Sequence, residues 1–109
     1  MTEQGKKYLS DILQAIELIE SFTVGIMDFD IYLSDLKTQS AVERQLGIIG
    51  EAAHHFEKLN TGIRIENIRQ IIGLRNKLIH SYDIIDPSII WAILRNHLTP
   101  LKQEVKLLL

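Results

Sequence analysis

Arg75, Asn76 and His80 lie within the eight-residue stretch Arg75-Asn76-Lys77-Leu78-Ile79-His80-Ser81-Tyr82. An imidazole titrating near neutrality, beside a fixed cation and an amide, carries what phosphodiester cleavage needs without a metal. The His would take a proton from a ribose 2′-OH or give one to the leaving 5′-oxygen, and the Arg would stabilise charge developing on the phosphorus oxygens. Helical geometry places these groups unequally. Asn76 and His80, four apart, meet on one edge at ~40°. Arg75 and His80, five apart, diverge by ~140°, so a single helix presents the pair imperfectly. Tyr82, seven from Arg75, returns near its face if the helix continues. A plainer reading also fits: a helix C-terminus with a dipole-compensating His and a salt-bridged Arg.

The element that must position these residues is itself unusual. Read at ~100° per residue, Ile68, Ile71, Ile72 and Ile79 form one apolar stripe, and Arg75 falls inside it. A guanidinium on such a face needs either a carboxylate or an anion-receiving cleft, because burying it alone costs on the order of several kcal/mol. Glu51 is a candidate partner. This helix is expected from about Glu66 to about His80, with Gly73 as a bend or close-packing point.

Other helices precede and follow it. Leu9, Ile12, Leu13, Ile16, Ile19 and Phe22 recur at three- and four-residue steps between Lys6 and Phe22, ended by Thr23-Val24-Gly25. A short segment from about Asp28 to Asp35 is expected to tuck Phe29, Tyr32 and Leu33 inward, capped by Asp28 or Asp30. Ser40-Ala41-Val42-Glu43 has capping-box spacing, with a start one turn earlier at Lys37 or Thr38 as the alternative. From there Val42, Leu46, Ile49, Ala52, Ala53, Phe56 and Leu59 make the longest stripe, stopped by Asn60-Thr61-Gly62. Asp86-Pro87 opens a fifth helix as N-cap and first helical residue, with Ile89, Ile90, Ile93 and Leu94 as its apolar side. Pro100 is expected to break or kink the chain before a last short helix, Leu101 to Leu109, that frays. No period-2 stretch occurs. The expected fold is all-α: an up-and-down antiparallel bundle of four main helices plus short ones.

Composition narrows the class. The 109 residues make one domain, 1–109, with 46% hydrophobic and 24% charged residues. No apolar run approaches the ~20 residues of a membrane span, and no signal peptide is recognised, so no membrane partner is expected. Cysteine is absent, which excludes disulfides and thiolate metal sites and suits a cytoplasmic location. The net charge of −2 supplies no global attraction for nucleic acid, but charge is unevenly distributed. Met1 to Leu36 holds seven acids against Lys6 and Lys7, whereas Lys58 to Lys77 holds five basic residues against Glu66. The basic half carries the Arg–His stretch.

Four further features read as structural. Glu51-Ala52-Ala53-His54 has the Glu-x-x-His spacing of di-iron bundles, but no second copy exists, so neither a metal nor a cofactor is expected. His54 and His55 point ~100° apart and are expected on solvated surface, as is His97. Trp91 is expected as a core or interface anchor rather than a base-stacking platform, and Gly47 and Gly50 as points of close helix contact.

The stretch from Arg75 to Tyr82 resembles the R-x4-H-x-Y pattern, with Asn after the Arg, of the HEPN superfamily, specifically the HepT-like toxins of MNT/HepT toxin–antitoxin systems. Lys37-Thr38-Gln39, Ile48-Ile49-Gly50-Glu51-Ala52-Ala53, Ile72-Gly73-Leu74-Arg75-Asn76 and Asp86 to Trp91 extend the resemblance over essentially the whole chain. Ser81 stands where that family frequently has glycine. The resemblance implies a HEPN-like homodimer whose two motif copies form a composite, metal-independent endoribonuclease site facing an RNA substrate. Arg75 and His80 would be its catalytic pair, with Asn76 supporting the phosphate or the His. Tyr82 would be the residue to which an MNT-type nucleotidyltransferase antitoxin transfers AMP, filling the cleft and repelling RNA. Two alternatives stand beside this: a non-catalytic helical subunit of a nucleotidyltransferase complex, and a dimerisation bundle in which Arg75 and His80 merely pair with acids.

Overall fold

The computed structural model describes residues 1–80 and 85–109, so the expectations for Ser81 and Tyr82 lie outside the described residues. Among the described residues six helices follow in order: α1 (Glu3–Thr23), α2 (Phe29–Ser34), α3 (Leu36–Lys58), α4 (Ile68–His80), α5 (Pro87–Asn96) and α6 (Leu98–Leu108). The architecture is an all-α bundle. α3 is its central element, packed on α1 along one side and on α4 along the other, while α6 returns to α1.

The core follows the stripes. Leu9, Ile12, Ile16 and Ile19 of α1 are fully buried against Val42, Leu46, Ile49, Ala53 and Phe56 of α3. At ~1.5–3 kcal/mol for each large apolar side chain removed from water, this two-helix seam is the main source of the fold's stability. Tyr32 is the part of α2 that enters the core, where burial, with Glu43 nearby, pushes its phenol up to about 12. Leu33 does not enter: it is exposed, because in a six-residue helix a neighbour of Tyr32 points ~100° away. The Gln39 side chain is buried and donates to the carbonyls of Tyr32 and Leu33 at 2.9 and 3.0 Å, satisfying acceptors that the end of α2 leaves open.

Helix boundaries reveal which local signals were used. α1 begins at Glu3 rather than Lys6, because Thr2 caps it by accepting from the Gly5 N–H at 3.1 Å. α3 begins at Leu36, and the capping-box spacing at Ser40 goes unused. Asp35 accepts instead from the Thr38 N–H at 3.0 Å and its hydroxyl at 2.6 Å, leaving Ser40 inside the helix. Asn60 and Gly62 turn the chain after α3 with φ of 52° and 80°, a conformation Gly62 adopts without a Cβ clash. Asp86 caps α5 with Pro87 at its first position. Pro100 does not break the chain. It sits in the first turn of α6, where a missing N–H has no helical partner to lose, and the break falls at His97. α6 is also docked rather than frayed: Leu98 and Val105 are buried, and Lys102 reaches Glu20 of α1 at 2.8 Å.

α4 is built differently. It packs chiefly on α3 and none of its residues is fully buried. Ile71 and Leu74 border a cleft of about 610 Å³ that is also lined by Leu46, Ile49, Ile93 and Leu101. Ile79, expected on the inward stripe, is 52% exposed. On α5, Ile90 is buried and Ile89 exposed, since only one edge of that short helix meets the core. No helix of the described residues is long and apolar enough to cross a membrane.

Candidate functional site

The Arg75 side chain lies where α4 passes tightly against Gly50 of α3. Gly50 of α3 permits this: a Cβ at that position would overlap the Arg75 Cβ and come within 3.0 Å of the Ile71 carbonyl oxygen. Gly47 and Gly73, by contrast, have nothing among the described residues within 4 Å of where a Cβ would sit, so neither is a packing point against them.

From this position the Arg75 guanidinium forms an ion pair through Nη2 with Glu51 Oε2 and donates from Nη1 to Asn76 Oδ1 at 2.8 Å. Its Nε is buried and meets no hydrogen-bond partner among the described residues. The other carboxylate oxygen of Glu51, Oε1, lies 2.9 Å from His55 Nε2. Burial pushes the Glu51 carboxyl up, but the hydrogen bond and charge of Arg75, followed by those of His55, outweigh it and hold the group below its ordinary value. The His55 ring in turn stacks on Tyr8 of α1, centroids 5.3 Å apart and planes at 23°. The Tyr8 hydroxyl accepts from Gln4 at 3.1 Å.

The structure thus brings together Glu51, Arg75 and Asn76 but not His80. His80 is exposed in the last turn of α4, and among the described residues it forms no hydrogen bond with Arg75 or Asn76 and no ion pair. Asn76 turns to Arg75 rather than to His80. His55 is not simple solvated surface, and this corrects the sequence reading: it joins Glu51 and Tyr8 in one chain of contacts. The Glu51-to-His55 spacing of four was a legible signal for half of that chain. The Tyr8 contact was not legible, since it joins two helices across 47 residues of sequence. Among the described residues no group of three or more His, Asp or Glu is arranged to hold a metal, and Glu51 faces Arg75 and His55 rather than completing a site with His54.

The fold places the chain in the class of all-α bundles, here with a clamped Arg75 and an exposed His80 at one helix end. Comparison with known proteins resolves that class further. The family model described as ribonuclease HepT-like matches residues 12–108. A protein of Thermococcus cleftensis named "Probable ribonuclease HepT" is 42% identical over 106 residues, covering 94% of this chain and 93% of that one. One of Methanocaldococcus jannaschii named "Putative RNase MJ1380" is 34% identical over 106 residues, covering 94% of each chain. No solved structure matches significantly. The chain belongs to the HepT-like ribonuclease family.

Proposed function

We propose that this chain is the toxin of a toxin–antitoxin pair and acts as a metal-independent endoribonuclease at a composite site between two copies of itself. The observation that carries this reading is the separation within one copy. Arg75 is clamped on α3, whereas His80 stands exposed and unjoined to it at the end of α4, beside the exposed Ile79. A two-fold axis near that helix end would let an Arg75 and a His80 from different copies address one phosphate. In that arrangement His80 takes the proton of a ribose 2′-OH as the 2′-oxygen attacks phosphorus. Arg75 stabilises the charge on the non-bridging oxygens, and a second His80 protonates the departing 5′-oxygen. The products are a 2′,3′-cyclic phosphate and a free 5′-OH. The relatives' names, "Probable ribonuclease HepT" and "Putative RNase MJ1380", and the basic stretch from Lys58 to Lys77 support an RNA substrate.

The test is cleavage of RNA by the purified chain in EDTA, with end-group analysis of the products. His80→Ala and Arg75→Ala are each expected to lower the rate by about 10²–10⁴-fold at unchanged helicity. Full cleavage by His80→Ala would refute the assignment.

We further infer that Tyr82 accepts AMP from a nucleotidyltransferase antitoxin, a reading supported by its place two residues after His80. Incubation with ATP and an MNT-type nucleotidyltransferase is expected to add one adenylyl group with release of pyrophosphate, read as a mass gain, and Tyr82→Phe to abolish the gain. A second reading, a non-catalytic subunit of a nucleotidyltransferase complex, draws on the intramolecular Glu51 pair, which already gives Arg75 a structural reason. Growth arrest on expressing the chain alone favours the toxin over that subunit.

A further inference from the structure

We propose that His55, seated on the Tyr8 ring, is a positioning residue for RNA cleavage: it holds Glu51 so that Glu51 fixes the Arg75 guanidinium in its working orientation. The proposal rests on the reading of Arg75 as the phosphate-binding group, and three observations support it.

The first is that the contacts form one unbroken series across three helices. Tyr8 of α1 supports the His55 ring at 5.3 Å, and His55 Nε2 meets Glu51 Oε1 at 2.9 Å on α3. Glu51 Oε2 then meets Arg75 Nη2 on α4. Each Glu51 oxygen has its own partner, so the carboxylate is held at both ends.

The second is that Glu51 would otherwise be a loose anchor. Its side chain is 40% exposed, and an exposed carboxylate with a single partner samples several rotamers. The bond from His55, four residues on along the same helix, selects one of them.

The third is that the orientation of Arg75 is not the one that best satisfies its own donors. Its Nε is sealed without a partner among the described residues, while Gly50 leaves just enough room for its stem against α3. A placement that leaves a donor unmet is imposed by the surroundings, and the surroundings here are Glu51, Asn76 and the α3 backbone. Phosphoryl chemistry is sensitive to such placement, since a misplacement of about 1 Å can lower a rate by ~10²-fold.

His55→Phe keeps a ring on Tyr8 and removes the donor to Glu51. His55→Gln puts an amide N–H near the position of the imidazole Nε2. The experiment compares both variants with the wild-type chain in RNA cleavage (kcat and KM), in thermal unfolding, and in the ¹⁵N spectrum of the Arg75 guanidinium, assigned by its loss in Arg75→Lys. The expected result for His55→Phe is a kcat lowered by about 10- to 100-fold with KM changed by less than about threefold. Its Arg75 Nη signals should average as rotation about the Cζ–Nε bond is released. His55→Gln is expected to recover most of the rate and the restricted guanidinium.

A wild-type kcat in His55→Phe overturns the proposal. So does a lowered kcat with an unchanged Arg75 spectrum, because His55 would then act by another route. Higher activity in His55→Phe also overturns it, since Glu51 would then be restraining Arg75 rather than presenting it. If His55→Phe unfolds at lower temperature, His55→Gln decides by itself: retained guanidinium restriction and rate support the proposal, and loss of either counts against it. If the wild-type chain cleaves no RNA, the ribonuclease reading fails, while the guanidinium spectra still show whether His55 controls Arg75.

Discussion

Arg75 engages two of its five N–H donors within its own chain, one at Nη2 toward Glu51 and one at Nη1 toward Asn76. Its side chain is 20% exposed and that of Glu51 40%, so the pair lies nearer to the solvent-screened limit than to the buried one. Such a pair contributes about 1 kcal/mol or less, too little to explain a guanidinium placed on an apolar stripe by stability alone. Orientation is the more important consequence. The carboxylates that do bear on stability act through pH. Asp35 is held below its ordinary value first by the Thr38 hydroxyl and then by the Thr38 N–H, and Asp86 by the N–H and hydroxyl of Ser88. A carboxyl with a depressed folded pKa contributes stability above its unfolded pKa of about 3.9 and loses it as pH falls through the lower folded value. The urea midpoint should therefore fall below about pH 4. Asp35→Asn, which keeps a capping oxygen without that titration, should shrink the fall.

At the scale of elements, the contact between α3 and α4 sets the site. α4 has no fully buried residue, so its placement depends on how closely its Arg75 turn can approach Gly50. Gly50→Ala is expected to destabilise the fold by about 1–3 kcal/mol, because the added methyl meets the Arg75 stem and the Ile71 backbone rather than a flexible side-chain end. The intrinsic helix preference for Ala over Gly, about 1 kcal/mol, works in the opposite direction and is outweighed by the overlap. Urea unfolding measures the difference. Gly47→Ala, with open space around it, should stabilise instead, which makes the pair a control for helix propensity. Nothing about the two glycines in the sequence separates them: both lie on the same helix three residues apart, and only the approach of α4 does.

For the whole molecule, the consequence is an incompletely covered helix carrying the motif. Ile79 is 52% exposed next to His80, while Ile72, Leu74 and Leu78 are half-buried. If two copies meet along this edge, Ile79→Asp would place a carboxylate in the interface. Light scattering should then show the wild-type chain as a dimer and the variant as a monomer, with cleavage lost alongside dimerisation. A dimeric and active Ile79→Asp would move the interface elsewhere. The sequence by itself determined the helical class, the stripes of α1 and α3, the Asp86-Pro87 start of α5 and the motif, because these are local matters of period, capping and spacing. It also pointed to Glu51 for Arg75. Only the tertiary structure decided that Gly50 rather than Gly47 or Gly73 is the close contact, that Tyr8 stands behind the His55–Glu51 pair, and that Ile79 leaves the core. Those depend on how two helices distant in sequence are set against each other, and periodicity along one helix does not contain the position of its neighbour.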